Sequence, residues 1–342
     1  MKVLITGGAG FIGSHLVDKI VNQVKEYEEF EQSRIPVEPY HEHQVGVIDN
    51  LSTGRIENVK QYLNRDNFKF YCDTILNENL MDTLISNADI VFHLAANVGV
   101  DRVNQTPFLT LQDDIEGTKI VLEKAKKYWK KVLIMSSSEV YGYAESPLYE
   151  DSHRTFPAVD LRSSYAEVKI TNEMLAMAYR QQYGLPVIVI RLFNTTGERQ
   201  LADYGMVLPS FVKAYLENQP ITIYGDGKQS RCFSYVGDVA AALWDIVKKE
   251  AYGQIFNLGS TESISINELM VAVRKIFKEY NYPLSFKYEG GADYIVKEKR
   301  QFDVDERIPN TDKIKKVLGY NPIKTPLDKI IKKMIEYEKE KK

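Results

Sequence analysis

Cysteine is scarce in this chain: Cys72 and Cys232 are the only two in 342 residues. They lie far apart, which excludes a disulfide framework and a cysteine-built metal site and fits a reducing compartment. A charge excess of one sign is missing as well. Forty-four Lys and Arg against 47 Asp and Glu leave −3, so nothing asks for nucleic acid or a membrane surface. No apolar run approaches a membrane span, and no signal peptide precedes the first strand-like residues, so a cytoplasmic protein is expected. No internal repeat or low-complexity tract is present, and the segment Lys332–Lys342 reads as a solvated helix tail. Histidine numbers five; His41 and His43 lack the neighbouring carboxylate or cysteine spacing that would make a metal site, and no metal is expected. What the chain does have is length, enough to bury a large core as one big domain or two moderate ones.

The first fifteen residues organise the rest. Val3, Leu4 and Ile5 form a short apolar run, read as a buried strand. Gly7, Gly10 and Gly13 follow at the spacing G-x-x-G-x-x-G, with Phe11 and Ile12 between them, and Leu16, Ile20 and Val21 recur at helical spacing. A strand, a glycine turn and a helix N-terminus together make a phosphate cradle: missing side chains admit the phosphate, and free N–H groups meet it.

Further on, strands and helices alternate. Val45–Ile48 is a second strand, ending in Asp49-Asn50. A carboxylate there can accept both ribose hydroxyls of an adenosine and repels a 2′-phosphate, which favours NAD over NADP. The separation from Gly13 exceeds the usual ~20 residues, and the excess is read as a loop insertion at 27–43 carrying Pro36 and Pro39. Phe68–Tyr71 is a third strand with Asp73-Thr74 after it; Ile90–Leu94 is a fourth, entering Ala95-Ala96, whose small side chains let a cofactor lie over the sheet edge. A helix over 115–129 and a fifth strand over 131–135 complete an alternation that predicts an α/β fold with a parallel, doubly wound sheet.

The candidate chemistry sits at the end of the fifth strand. Ser136-Ser137-Ser138-Glu139-Val140-Tyr141-Gly142 brings hydroxyls and a carboxylate to the edge where such sheets bind ligands. One helix later, Tyr165 and Lys169 stand four residues apart, on one helix face. An ammonium beside a phenol stabilises the phenolate, so a lowered Tyr165 pKa and proton abstraction from a sugar hydroxyl are expected, with Ser137 hydrogen-bonding the same hydroxyl. A non-catalytic nucleotide-binding scaffold would have no need of Ser137, Tyr165 and Lys169 together.

With these motifs the sequence resembles the extended short-chain dehydrogenase/reductases that modify nucleotide sugars, such as the UDP-glucose 4-epimerases. The likeness runs through Gly7–Gly13, Asp49–Gly54, His93–Ala96, the serine run, Tyr165/Lys169, Arg191–Asn194, Tyr224–Gly227, Arg231–Asp238, Phe256–Gly259 and Leu318–Tyr320. It implies a Rossmann-type NAD-binding part over 1–195, with returning segments near 233–258, and a smaller, interleaved C-terminal substrate lobe over most of 197–342. It implies NAD on the glycine turn, Asp49, Asn50, Asp73, Thr74, Leu94, Ala95, Ala96 and Lys169, and oxidation at the sugar C4 with Tyr165 taking the proton. Ser138, Asn194, Arg231 and Arg300 match positions that meet the nucleotide sugar, and the loop with Arg199, Gln200 and Tyr204 is expected to clamp the sugar. A homodimer paired through helices near 109–127 and 164–183 is expected too. Asp114 stands where the family often has Asn, read as helix packing without a function, and His93 is read as packing rather than catalysis.

The reaction after the keto step divides the motifs. The stretch 49–59 and the lack of Asn-x-Tyr-Gly-Pro after Arg191 resemble 4-epimerases, and a UDP-sugar 4-epimerase is the leading expectation. Ser-Glu-Val-Tyr-Gly and Tyr-Ala-Glu-Val-Lys resemble uronate decarboxylases, and the former also the 4,6-dehydratases; there Glu139 could abstract a C5 proton or orient a carboxylate. Glu139 could instead simply hydrogen-bond a neighbouring loop. A net dehydrogenase releasing the 4-keto sugar would leave NADH behind.

Overall fold

The computed structural model describes residues 1–22, 43–97, 107–157, 163–202, 206–282, 294–298 and 304–341. Residues 27–42 of the insertion at 27–43, Tyr204 and Arg300 lie outside the described residues; His43 is described and buried.

The sheet is built from β1 (Lys2–Thr6), β2 (Gln44–Ile48), β3 (Phe68–Tyr71), β4 (Ile90–His93), β5 (Lys131–Ser137), β6 (Val187–Leu192) and, returning late in the chain, β11 (Gln254–Leu258). Their order is β11-β6-β5-β4-β1-β2-β3, every neighbouring pair parallel. Such strands are covered on both faces, which is why they read as continuous apolar runs rather than alternating ones. All four residues of β4 are buried.

The crossovers are α1 (Phe11–Val21), α2 (Glu78–Asn87), α3 (Pro107–Tyr128), α4 (Ser164–Tyr183) and α6 (Val236–Lys248). Leu16, Val17 and Ile20 of α1 and Val239, Leu243 and Trp244 of α6 cover one face of the sheet. Met81 and Ile85 of α2, Val121 and Ala125 of α3 and Ala176 of α4 cover the other. Helix α3 begins at Pro107, ahead of the apolar periodicity that predicted 115–129. Strand β5 runs two residues past Met135, pairing Ser136 and Ser137 with Arg191 and Leu192.

A second apolar core lies outside the sheet. It joins α5 (Val207–Leu216), β8 (Ile221–Tyr224), α7 (Ile266–Glu279) and α9 (Leu327–Glu340) around Phe211, Tyr215, Phe277 and Ile331. Helix α7 starts with a capping box, Ser265 accepting from the Glu268 N–H while the Glu268 carboxylate accepts from the Ser265 N–H. Short pairs tie this lobe together and to the strand ends: β7 (Thr195–Thr196) with β10 (Ser234–Tyr235), β9 (Ser230–Cys232) with β12 (Ser263–Ser265), and β8 with β13 (Tyr294–Lys297). Helix α8 (Asp312–Leu318) packs Ile314 and Leu318 back onto the sheet's core. Among the described residues no helix is long and apolar enough to cross a membrane.

Candidate active site

A cleft of about 910 Å³ runs from the carboxyl ends of β1–β6 to the second core. Its sheet side opens on the glycine turn. Gly7 has φ +71°, and a Cβ there would lie 2.8 Å from the Ala95 backbone nitrogen. A Cβ at Gly13 would lie 2.2 Å from the Gly7 carbonyl oxygen, so the turn closes onto the first turn of α1 only without a side chain. Gly13→Ala is therefore expected to push the loop open. Overpacking of this kind costs about 1–3 kcal/mol, which predicts an NAD affinity about 10- to 100-fold weaker by titration; unchanged binding would exclude this turn as the phosphate cradle.

Asp49 is buried at the end of β2. Its Oδ2 accepts the Ala9 N–H at 3.0 Å and its Oδ1 the Leu51 N–H at 2.8 Å, so it braces the glycine loop as well as facing the cleft. Burial raises its pKa, opposed by those backbone donors. Asp73 accepts from Thr74 N–H and Asn77 Nδ2, fixing the loop after β3. Gly10, Phe11, Ile12, Asn50, Thr74, Leu94, Ala95 and Ala96 all line the same cleft. The residues present fit a dinucleotide: side-chain-free backbone at a helix N-terminus for the phosphates, a carboxylate for the ribose, and small residues along the sheet edge. His93 is wall: its ring nitrogens meet Thr6 Oγ1 at 2.9 Å and Thr118 Oγ1 at 3.0 Å, and burial pushes its pKa down to about 3.

At the centre, α4 delivers Tyr165 and Lys169 to the end of β5. The Lys169 ammonium lies 5.6 Å from the Tyr165 ring centroid, and the Tyr165 hydroxyl is hydrogen-bonded to Ser137. Ser137 also accepts the Glu139 N–H. The expected depression of the Tyr165 pKa is not what the protein alone produces. Burial raises it first, the Asp114 charge adds to that, and Glu139 adds more, against the Ser137 hydrogen bond. Lys169 is 5% exposed, and burial lowers its pKa against the field of Asp114. Burial and these charges thus favour the neutral phenol.

Among the described residues the Glu139 carboxylate is paired with a side chain rather than with a neighbouring loop backbone. It stands half in solvent and pairs with the Arg307 guanidinium, which is 9% exposed and also reaches the Gly142 carbonyl at 3.4 Å. Arg307 was missed in the sequence. It lies 168 residues from Glu139, and it is carried there because 308–310 runs along Leu148, with Leu148 N–H to Ile308 O at 2.8 Å and Asn310 N–H to Leu148 O at 2.7 Å. Asp114, read as packing, also lines the cleft.

Ser138, Asn194 and Arg231 face the cleft; Arg231 is steadied by the Ser230 carbonyl at 2.7 Å. Arg199, with φ +68°, pairs with Asp18 of α1 at 2.8 Å, tying the loop after β7 to the sheet side. Its neighbour Gln200 does line the cleft, held by Thr195 and Thr196.

The parallel sheet, the glycine turn and the Ser137, Tyr165, Lys169 set define a dinucleotide-dependent short-chain dehydrogenase/reductase. A family model described as GDP-mannose 4,6 dehydratase matches residues 4–334. A UDP-N-acetyl-alpha-D-glucosaminuronate decarboxylase of Bacillus cytotoxicus is 33% identical over 94% of this chain and 92% of its own. Among solved structures, the UDP-glucose 4-epimerase of Thermotoga maritima with UDP-glucose superposes at TM-score 0.81, 30% identical, over 100% of this chain and 99% of that one. The UDP-glucuronic acid 4-epimerase of Bacillus cereus, solved with UDP-glucuronic acid and NAD, gives 0.82 at 26% identity over the whole of both chains. The chain belongs to the extended short-chain dehydrogenase/reductases, in the NAD-dependent nucleotide-sugar epimerase, dehydratase and decarboxylase family.

Proposed function

We propose that this enzyme decarboxylates a UDP-hexuronate through a 4-keto intermediate. The observation that carries the reading is the pairing of Glu139 with the buried Arg307 in the cleft, at the end of the serine run that holds Tyr165. The 33% identity to a UDP-uronate decarboxylase supports it, as do Ser138-Glu139-Val140-Tyr141-Gly142 and Tyr165-Ala166-Glu167-Val168-Lys169.

Bound NAD, held by the glycine turn, Asp49 and Lys169, would supply the hydride acceptor for C4 and return the hydride at the end. Tyr165 takes the O4 proton once positive charge has gathered around it. The C6 carboxylate is then β to a ketone. The C5–C6 bond breaks, carbon dioxide leaves, and the electron pair passes into an enolate whose oxygen is held by Tyr165 and Ser137. Arg307, permanently charged and forked, suits a uronate carboxylate as well as Glu139. The enolate carbon C5 then takes a proton that water supplies, and Glu139, oriented by Arg307, is placed to relay it. Asn194 and Arg231 would hold the diphosphate side, where Arg231 offers a fork matched to phosphate oxygens.

The alternative, 4-epimerisation of a UDP-sugar, is favoured by the Thermotoga epimerase, 30% identical over the whole chain. Mass spectrometry of products from NAD with UDP-glucuronate, UDP-N-acetylglucosaminuronate and UDP-glucose separates the two. Loss of carbon dioxide is expected from a uronate. An unchanged mass with inverted C4 by NMR would overturn the decarboxylase in favour of the epimerase. Glu139→Gln is expected to slow decarboxylation by about 10²-fold or more, whereas an epimerase would tolerate it.

A further inference from the structure

The segment 197–202, just after β7, carries Gln200 into the cleft wall and is tethered from both lobes. The Gln200 side chain is satisfied locally: Oε1 accepts the Thr196 hydroxyl at 2.8 Å and Nε2 donates to the Thr195 carbonyl at 3.0 Å. Beside it, Arg199 sits at φ +68°, in the left-handed region. A side chain makes that conformation costly, so it persists where the surroundings impose it. Asp18 of α1 supplies the constraint, its Oδ2 pairing with Arg199 Nη2 at 2.8 Å.

Asp18 is itself fixed from the cofactor side. Its Oδ1 accepts the Tyr62 hydroxyl at 2.8 Å, and Tyr62 in turn accepts from Asn22 Nδ2 at 2.8 Å. One carboxylate thus joins α1, the stretch after β2 and the segment 197–202. His15, one turn earlier on α1, adds a second tie: the Glu198 carbonyl only accepts, so His15 Nε2 donates to it at 3.1 Å. From the second lobe, the Glu198 carboxylate accepts the Tyr235 hydroxyl of β10 at 3.1 Å and meets Lys333 of α9 at 3.7 Å. Arg199 Nη1 and Glu198 Oε2 are buried with no hydrogen-bond partner among the described residues, so the segment keeps its shape through these few tethers.

We propose that Asp18 is a positioning residue of the reaction: by fixing Arg199 it keeps the segment 197–202 in place along the cleft, so that the 4-keto sugar stays bound until the hydride returns. The inference rests on the 4-keto chemistry of the proposed function, but not on whether carbon dioxide is lost or C4 inverted. In the first half-reaction the C4–H and O4–H bonds break, the hydride reduces NAD to NADH, and Tyr165 takes the proton. A 4-keto sugar that leaves at that point carries off the oxidised carbon and leaves NADH on the enzyme, with no outside oxidant or reductant involved.

Asp18→Asn removes the charge but keeps the shape and the Tyr62 contact. NADH absorbance is followed against product formed, in NAD-loaded enzyme given UDP-glucuronate or UDP-glucose. NADH left per product is expected to rise about tenfold, the effect of losing one charge-assisted contact, while NAD affinity stays within about threefold of wild type. Arg199→Gln cuts the same pair from its other end and is expected to leak equally, and the double variant no more than either single. Either single variant decides if the other does not fold. A lower rate or melting temperature with NADH per product unchanged would make the pair merely structural and overturn the proposal. Additive leaks in the double variant would overturn it too. A wild type that leaves NADH at every turnover would overturn the retention role while leaving the 4-keto chemistry standing. A wild type that turns over neither sugar would refute the function, and this inference with it.

Discussion

Replacing Tyr165 with phenylalanine is expected to lower turnover by about 10²- to 10⁴-fold, the range that one general acid–base group contributes, while leaving NAD binding unchanged. The change removes one oxygen. That oxygen is the only part of the side chain that can take the O4 proton and later hold the enolate. The ring stays, its contact with the Lys169 ammonium at 5.6 Å stays, and the glycine turn and Asp49 are untouched. The phenol is also a reluctant base in the bare protein, because burial and the charges of Asp114 and Glu139 favour its neutral form. Wild-type turnover is therefore expected to rise with pH until the phenol ionises, and that alkaline rise should vanish in Tyr165→Phe. Turnover in the variant within a few-fold of wild type, or an unaltered pH profile, would rule out Tyr165 as the proton acceptor.

The largest effect on stability is expected from Glu173→Gln. Glu173 is 1% exposed and lies beneath the serine run. Its Oε1 accepts Ser136 Oγ at 2.6 Å and Arg191 Nε at 2.9 Å, and its Oε2 accepts Arg154 at 2.6 Å and Arg191 again at 2.9 Å. Arg191 continues the network to the Tyr141 hydroxyl, which donates to Asn257 on β11 at 2.7 Å. Glutamine keeps the shape but removes the charge and turns one acceptor into a donor facing donors. Breaking a buried pair by neutralising one partner costs about 3–5 kcal/mol, because the remaining charge is left buried and uncompensated. The surviving Arg191 is 3% exposed and cannot reach water. Urea or thermal unfolding of the purified variant checks this; a loss below about 1 kcal/mol would show that the arginines find other partners. Activity should fall with it, since Ser136 anchors the segment that presents Ser137.

How much of this was legible before any coordinates depends on how far apart in the chain each contact lies. The glycine turn, the strand runs and the Tyr165/Lys169 pair are local: each depends on residues within one strand, one turn or one helix, where periodicity and backbone geometry determine the outcome. The parallel sheet followed from strands alternating with helices, because right-handed crossovers leave few other arrangements. Asp49 could be placed at a strand end, but its brace on Ala9 could not, since that hydrogen bond spans 40 residues.

What only the tertiary structure decided is electrostatic and long-range. Glu139 meets Arg307 because two loops run side by side, and Arg199 pairs with Asp18 of α1 across a long stretch of chain. Tyr165 is pushed up rather than down because the burial of its hydroxyl and the charge of Asp114 on a different helix outweigh the Ser137 hydrogen bond. Sequence spacing fixes which groups share a face. The sign and size of a charge's effect depend on distance through the folded protein and on how much water remains around it, and neither exists until the chain has folded.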